Sequence, residues 1–233
     1  CIRDSYVEAL EDGSIDLVPE YVGALYLHFA GDDVPDDLTG SEEVHTALEE
    51  ELPEGIVALE QSEAENKGTL TVTSETAEEY GLETIGDLAP HADGMTMAAG
   101  PEHAERWQGL LGLEEVYGVE FGEFEPLDAG GPLTTGALLD GDADVANVFS
   151  TDPIIEEEDL TVLDDTEALY LAQNVLPVAA EDAIPAEGVE QLDAVSAELT
   201  TEDLTELLAS MQNDRTPLVD AAEGFLTEHD LAG

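Results

Sequence analysis

The chain has 233 residues, of which 58 are Asp or Glu and only 4 are Lys or Arg, so its formal net charge is -54. Binding to nucleic acid is excluded, because affinity for phosphate backbones comes from clustered Lys and Arg. Intrinsic disorder is excluded too, since 42% of the residues are hydrophobic and recur in periodic runs. No apolar run reaches eighteen residues, so no membrane-spanning helix is predicted.

The acidic excess predicts a folded protein from a highly saline environment. Repulsion among carboxylates opposes compaction at low ionic strength, whereas in about 1 M salt the Debye length falls to roughly 3 Å and the repulsion is screened. The alternative is a nucleic-acid mimic or a partner of basic proteins. The acidic residues are scattered rather than blocked, which favours the first interpretation.

The first elements along the chain place a tyrosine at a strand end. Tyr6–Leu10 is predicted to end a helix, and Ile15–Val18 is predicted to form a strand. Pro19 then occupies a helix-opening position, which predicts a helix over Glu20–Phe29 with Tyr21 in its first turn. In open α/β sheets, ligands bind at the carboxyl ends of strands. Tyr21 is therefore a candidate ligand contact.

Strands and helices alternate through the middle of the chain, which predicts parallel sheets with right-handed crossovers. After Pro185 the pattern is helical, with Thr200 as a predicted N-cap. The predicted strands are 56–59, 69–73, 95–98, 124–127, 145–149 and 160–163, with an extended run over 169–178. The predicted helices are 74–80, 110–117, 133–139, 202–211 and 218–229.

No motif for catalysis or metal binding is convincing. Asp140, Asp142 and Asp144 have the spacing that opens a calcium loop, but the required glycine and glutamate are missing, so a turn after the preceding helix is expected. The five histidines lack metal-ligand spacing. No nucleophile elbow, zinc helix, dinucleotide fingerprint or phosphate loop occurs. We expect no enzyme activity, no metal and no cofactor.

The single cysteine, Cys1, leaves two interpretations open. It could be the acylated first residue of a lipoprotein, although such a cysteine is usually followed by a flexible polar tether. Alternatively, Cys1 to Ser5 resemble a translated sequencing-adapter scar, in which case Arg3 is not a native residue.

Five short motifs resemble, in order and spacing, those of the substrate-binding proteins of osmoprotectant ABC transporters. These proteins capture glycine betaine, choline, carnitine and related quaternary amines, and the resemblance covers residues 6–231. The motifs are DLVPEYVG at 16–23, ETAEEYGL at 75–82, IGDLA at 85–89, PEHAER at 101–106 followed by Gly109-Leu110, and FSTD at 149–152.

The resemblance implies an α/β type II periplasmic-binding-protein fold, with two lobes joined by two crossing strands. Lobe one would comprise residues 6–70 and 173–231, lobe two residues 71–172, and the crossings Thr69–Thr73 and Leu169–Val178. It implies an extracytoplasmic solute receptor, not an enzyme, that closes over its ligand and delivers it to an ABC permease. In the family, the mature chain begins with a strand and a helix that are missing before Tyr6, so we expect an amino-terminally truncated fragment.

The resemblance also implies an aromatic cage for a quaternary ammonium group, held by cation–π attraction, and an arginine for the carboxylate of betaine-like ligands. Tyr21 and Phe149 match aromatic positions of the cage, and Arg106 matches the arginine. Asn66 and Trp107, next to the matched segments, complete the candidate contacts.

Three candidate positions depart from the family. Gly68 and Gln173 stand where some members have cage tyrosines, and Ala24 stands where a threonine contacts the ligand. A cage with fewer rings favours a larger or more polar ligand, such as carnitine, a cyclic betaine or a histidine betaine.

Each candidate also has a purely structural interpretation. Tyr21 and Phe149 could be packing aromatics, Trp107 could be an exposed neighbour, and Arg106 could pair with Glu102 or Glu105. Two other functions stay open at this stage, an enzyme on the same two-lobed fold and an acidic protein-interaction module.

Overall fold

The computed structural model describes residues 2–31, 34–35 and 38–232. Within them the chain forms two compact units. The first unit contains the described residues up to Asn66 and from Leu171 onward, and the second contains Lys67–Tyr170. The chain therefore passes from one unit to the other twice. Cys1, considered above as an acylation site, lies outside the described residues.

The first unit contains a three-stranded sheet in which the central strand comes from the returning chain. Strand β8 (Val175–Ala180) lies between β1 (Leu17–Tyr21) and β2 (Ile56–Ala58), and both pairings are antiparallel. The prediction of parallel pairing is wrong here. The alternation of strands and helices gives only the order of elements along the chain. The strand that pairs with β1 and β2 is β8, which lies more than a hundred residues further along.

The start of the next helix also differs from the prediction. Pro19 lies inside β1 opposite Pro177 of β8, and helix α2 begins only at Val22 and ends at Ala30. Because β1 is an edge strand, a proline can occupy it without disrupting pairing on both sides. Tyr21 is the last residue of β1 and the N-cap of α2, so it does lie at a strand end as predicted.

The remaining described helices of the first unit follow the sequence pattern. Thr200 caps α8, because its side chain accepts a hydrogen bond from the Asp203 N–H while the Asp203 carboxylate accepts from the Thr200 N–H, as a capping box requires. The helices are α1 (Ile2–Glu11), α3 (Ser41–Glu51), α7 (Ala186–Glu198), α8 (Thr201–Asn213) and α9 (Leu218–Glu228).

The second unit contains a mixed five-stranded sheet in the order β5-β4-β6-β3-β7. Strand β4 runs parallel to β5 and β6, whereas β3 runs antiparallel to β6 and β7. The parallel prediction therefore holds for only part of this sheet. The strands are β3 (Gly68–Thr73), β4 (Thr96–Ala99), β5 (Glu123–Pro126), β6 (Val145–Phe149) and β7 (Leu160–Val162).

Thr69–Thr73, which the resemblance assigned to a crossing between lobes, lies wholly within the second unit. The reason is that its backbone pairs on one edge with β6 and on the other with β7. The first passage between the units is instead at Asn66–Lys67, and the return is at Tyr170–Leu171.

The α-helices of the second unit have at most nine residues, which is the length of the shortest described α-helix of the first unit. The predicted helix over Leu110–Tyr117 is replaced by two π-helical segments, Trp107–Leu111 and Leu113–Tyr117, and the first is interrupted by non-helical backbone at Gln108 and Gly109. The α-helices are α4 (Ser74–Tyr80), α5 (Pro132–Asp140) and α6 (Ile154–Glu157).

Each unit has its own apolar core, as independent domains require. Burying each large aliphatic side chain stabilises the fold by about 1.5–3 kcal/mol. The core of the first unit includes Leu10, Val22, Leu25, Val44, Leu48, Leu176 and Val178, and that of the second includes Leu70, Val72, Ile85, Leu88, Met97, Leu113 and Val145.

Candidate functional site

In the first unit, Tyr21 is held by a neighbouring amide. The Asn66 Nδ2 donates a hydrogen bond to the Tyr21 hydroxyl oxygen over 3.0 Å. The backbone N–H of Asn66 in turn donates to the Gln173 carbonyl over 3.2 Å, which ties this pair to the returning chain. Three of the predicted contacts, Tyr21, Asn66 and Gln173, are thus joined directly by hydrogen bonds.

The amino terminus of α2 is closed by the same returning segment. The N–H groups of Val22 and Gly23 donate to the carbonyls of Asn174 and Ala172 over 3.0 and 3.1 Å. The third, that of Ala24, donates to the Gln173 Oε1 over 3.0 Å. A helix leaves four N–H groups without intrahelical partners, and here three are satisfied by the protein itself. This helix terminus therefore has little capacity left for a ligand carboxylate.

Gln173 consequently has a structural role that the sequence did not reveal. Its side-chain oxygen substitutes for the cap that Tyr21, with no polar atom near its backbone, does not supply. Within the described residues its amide nitrogen has no hydrogen-bond partner, so it remains a donor. Close packing here depends on Gly23, because a Cβ at that position would lie 2.4 Å from the Ala172 carbonyl oxygen.

A partly buried ion pair contacts the backbone of Tyr21. Glu20 is only 6% exposed, and its carboxylate accepts from Arg3 Nε at 2.6 Å and Arg3 Nη2 at 3.1 Å. The same carboxylate accepts from the Tyr21 N–H at 2.8 Å. The sequence interpretation considered Arg3 as part of a translated adapter scar, whereas in the structure it lies in α1 and pairs with a buried acid.

In the second unit, Arg106 and Trp107 follow the turn that leaves β4. Arg106 is exposed and has no ion-pair or hydrogen-bond partner among the described residues, so the pairing with Glu102 or Glu105 considered above is not formed. Trp107 is 36% exposed. In a chain with four basic residues, Arg106 is a positive charge that is not engaged by the chain's own carboxylates in the described structure.

The turn before Arg106 is anchored by a buried histidine. His103 is 7% exposed, and burial lowers its pKa to about 4, with the positive charge of Arg106 adding to the decrease and Glu102 opposing it. Its Nε2 has no hydrogen-bond partner within the described residues. Gly109 permits this packing, since a Cβ there would lie 2.1 Å from the His103 carbonyl oxygen. His103, one of the five histidines without metal-ligand spacing, is thus a buried packing residue, and nothing in the sequence indicated this burial.

Phe149 and Gly68 lie opposite each other on β6 and β3. Phe149 is 37% exposed, and its ring packs against Gly130, where a Cβ would approach within 2.8 Å. A Cβ on Gly68 would lie 2.9 Å from the Asn147 Nδ2, which donates to the Thr69 carbonyl. Asn147 thus occupies space that a larger residue at position 68 would need, which gives a physical reason for the glycine.

The acidic motif rejected above is an ordinary turn. Asp140 ends α5, Gly141 follows in the left-handed conformation, and the Asp144 carboxylate accepts from the Thr96 N–H over 2.8 Å. Over the described part of the chain, no group of three or more His, Cys, Asp or Glu side chains is arranged to hold a metal ion.

The chain forms two α/β units and passes between them twice, an organisation that fits the type II periplasmic-binding class. Residues 2–228 match the family described as the substrate-binding domain of ABC-type glycine betaine transport systems. The chain belongs to this family. It is therefore the substrate receptor of an ABC transporter and not an enzyme, and the predicted fold class is confirmed.

Proteins that are similar to this chain include other solute-binding proteins of transporters. The chain is 28% identical to the glycine-betaine-binding protein of Pseudomonas aeruginosa over 96% of this chain and 75% of that protein. Over 45% of its length it is 30% identical to an ergothioneine transport permease/ergothioneine-binding protein of Helicobacter pylori, of which it covers 19%. Its fold matches the crystal structure of a glycine betaine/carnitine/choline ABC transporter protein, with a TM-score of 0.83, 24% identity, and coverage of 98% of this chain and 84% of that one.

Proposed function

We propose that this protein captures a quaternary-amine osmoprotectant, preferably a betaine-like zwitterion, outside the cytoplasm and presents it to an ABC permease. The observation that carries the proposal is the family match over residues 2–228. The receptor would associate with the membrane through its permease or a tether. None of the helices among the described residues has the length and apolar character needed to cross a bilayer.

The cationic head of the ligand would be bound by Tyr21 and Phe149. An aromatic face attracts a quaternary ammonium group through its quadrupole, by about 0.5–1 kcal/mol in water and about 2 kcal/mol when desolvated. Support comes from the Asn66 hydrogen bond that orients Tyr21 and from the partial exposure of the Phe149 ring. Ala24 and Gly68 have no polar side-chain atom, so neither places a hydrogen-bonding group against the methyl groups of the ligand.

The carboxylate of the ligand would be bound by Arg106. A guanidinium offers two parallel N–H donors that match a carboxylate, and this one has no partner within the described chain. A carboxylate ligand gains nothing from the net charge of -54, so a local cation is needed to hold it. Trp107 would lie at the edge of this contact.

The departures from the cage favour a ligand larger or more polar than a bare trimethylammonium compound. Gln173 contributes an amide N–H donor where some members have a tyrosine, and Gly68 contributes no side chain. Similarity to a protein whose name includes ergothioneine binding also favours a larger or more polar ligand. Carnitine and histidine betaine are therefore the ligands we would test beside glycine betaine.

Calorimetric titration in multimolar salt tests the proposal. Glycine betaine, carnitine, histidine betaine and choline would each be compared with an isosteric compound in which carbon replaces the quaternary nitrogen. We expect saturable binding of at least one quaternary amine and at least about tenfold weaker binding of its uncharged isostere, because cation–π attraction requires the charge. Absence of binding by every quaternary amine would overturn the proposed function. Trp107, the only tryptophan, provides an independent fluorescence signal.

A further inference from the structure

Strand β6 leads from the core of the second unit to its surface. Val145 is fully buried, Asn147 is 8% exposed and Phe149 is 37% exposed. Because successive side chains of a strand point to opposite faces, these three residues lie on the same face of the sheet. Asn147 is therefore a polar residue between the apolar core and the ring proposed above to bind the cation.

The orientation of the Asn147 carboxamide follows from one hydrogen bond. Its Nδ2 donates to the Thr69 carbonyl over 3.1 Å. A carbonyl oxygen only accepts hydrogen bonds, so the amide nitrogen must face Thr69 and the Oδ1 must face away from it. Turning the carboxamide over would set two oxygens against each other. The acceptor atom of Asn147 thus has a defined direction.

The Asn147 Oδ1 has no hydrogen-bond partner among the described residues. It also differs from the His103 Nε2 and the Tyr170 hydroxyl, which are unpaired and enclosed, because its neighbours do not seal it. An amide oxygen can accept two hydrogen bonds, and the polar groups of buried residues are nearly always paired. Asn147 therefore supplies an open acceptor on a side chain that is otherwise buried.

Gly68 leaves this carboxamide uncovered from the neighbouring strand. It lies opposite Phe149 in the register of β3 and β6. A Cβ at position 68 would lie 2.9 Å from the Asn147 Nδ2 and 3.5 Å from its Oδ1. Any side chain there would contact the carboxamide directly. Glycine is therefore the residue that keeps the acceptor open beside the Phe149 ring.

We infer that the Asn147 Oδ1 binds a hydrogen-bond donor of the ligand, an O–H or N–H group of the same molecule whose quaternary ammonium group contacts Phe149. The inference rests on the proposed function and adds a specificity-determining residue to the same site. Carnitine has a hydroxyl group and histidine betaine has a ring N–H, whereas glycine betaine has neither. Gly68, Asn147 and Phe149 all belong to the second unit.

A neutral acceptor selects differently from a carboxylate. The chain has 58 acidic residues, and one more at this position would attract any cation. An amide oxygen adds affinity only for a ligand that presents a donor to it. Asn147 thus distinguishes among quaternary amines by their substituents and not by their charge.

Matched ligand pairs test the inference by calorimetry in multimolar salt. Carnitine would be compared with its 3-deoxy analogue, and histidine betaine with an analogue in which a thiophene ring, which has no N–H, replaces the imidazole. We expect the donor-bearing member of at least one pair to bind about three- to tenfold more tightly, as for one neutral hydrogen bond. Equal affinities within both pairs would overturn the inference, even where glycine betaine binds well.

Substitutions assign the preference to Asn147. Asn147→Leu keeps the size of the side chain and removes the acceptor, so we expect it to abolish the preference within the pair while glycine betaine stays within about twofold. Asn147→Asp keeps an acceptor and should retain the preference. Asn174→Leu is the matched control, since Asn174 is 7% exposed and its Nδ2 likewise donates to a backbone carbonyl, that of Ser62. It should leave the preference unchanged.

A merely structural asparagine would give a different result. Its loss would weaken both members of a pair alike, because the bond to Thr69 does not involve the donor of the ligand. Where Asn147→Leu does not fold, Asn147→Ala serves the same comparison. A preference that persists without the Asn147 acceptor, or that Asn174→Leu abolishes equally, would overturn the inference. Failure of every quaternary amine to bind the unsubstituted protein would instead overturn the proposed function, and this contact with it.

Discussion

The candidate contacts of the first unit are hydrogen-bonded to one another, whereas in the second unit Gly68 and Phe149 lie on paired strands and Arg106 is bonded to neither of them. Tyr21, Asn66, Gln173 and Ala24 form one hydrogen-bonded group. Arg106 and Trp107 are exposed after a turn, and Arg106 has no partner among the described residues. Residues whose hydrogen bonds are already made within the protein present a surface of defined shape. A cation without a partner, such as Arg106, can instead gain binding energy by pairing with a ligand carboxylate. We expect the first-unit residues to contribute shape and Arg106 to contribute binding energy for a carboxylate.

Removing the unsatisfied cation has the largest expected effect. Arg106→Gln should weaken a carboxylate ligand such as glycine betaine by about 2 to 4 kcal/mol, because a charge-assisted contact is lost, and should barely change choline, which has no carboxylate. Arg215→Gln is the matched control, since Arg215 is also exposed. The measurement is calorimetric affinity for both ligands. Equal losses for the two ligands would contradict the role of Arg106.

Acid should act on the second unit through His103. The pKa of this ring is about 4 in the folded protein against an ordinary value of 6.5, so the unfolded state takes up the proton first as pH falls. Burial of the neutral His103 ring therefore contributes fully to the free energy of unfolding above about pH 6.5. This contribution is lost progressively as the pH falls to about 4, a change of about 3 kcal/mol.

Denaturant unfolding at pH 7 and pH 4, at one salt concentration, checks this expectation. The difference between the two pH values should be smaller in His103→Gln by about the amount assigned to His103. Replacing the partly exposed His91 in the same way is the control for loss of a histidine. A pH dependence identical in the unsubstituted protein and His103→Gln would show that His103 does not titrate in this range.

Replacing Tyr21 should weaken ligand binding less than replacing Arg106. Tyr21→Ala should weaken glycine betaine and choline alike by about 1 to 2 kcal/mol, because both present a quaternary ammonium group to the same ring. Tyr21→Phe keeps the ring but loses the Asn66 contact, and should retain most of the affinity. Calorimetry on the two variants checks this order. A loss in Tyr21→Phe as large as that in Tyr21→Ala would indicate that the hydroxyl, not the ring face, binds the ligand.

The smallest expected effect is on stability and tests the cap of α2. Gln173→Ala should lower the free energy of unfolding by about 1 kcal/mol, as the loss of a helix N-cap does, because the Ala24 N–H loses its acceptor. The exposed Gln191 supplies the control Gln191→Ala. Denaturant unfolding of both variants gives the comparison. No difference between them would mean that water replaces the Gln173 oxygen without cost.

Elements with strong local signals were predictable from the sequence. Helix α4 and strand β6 have the predicted bounds, because Thr73 and Gly81 mark the two ends of the helix and four of the five residues of β6 are apolar. The start of α2 was not predictable in the same way. Pro19 suits both a helix opening and an edge strand, and only the pairing of β1 with a distant strand decides between them.

Candidate contacts were named from the sequence, but the interactions between them were not. Nothing near Gln173 in the sequence indicates that its side chain caps a helix about 150 residues away, because such caps are usually local. The burial of His103 is equally invisible, since it depends on Gly109 allowing close packing. Long-range contacts of this kind are decided by tertiary structure rather than by periodicity.

The central proposal is that aromatic rings, Tyr21 among them, recognise the cation while Arg106 recognises the carboxylate. Its most direct test is the affinity of glycine betaine and choline for Tyr21→Ala and Arg106→Gln, measured by calorimetry in the same multimolar salt. We predict that Tyr21→Ala weakens both ligands and that Arg106→Gln weakens glycine betaine alone. Similar losses for both ligands in both variants would contradict this division of roles between Tyr21 and Arg106.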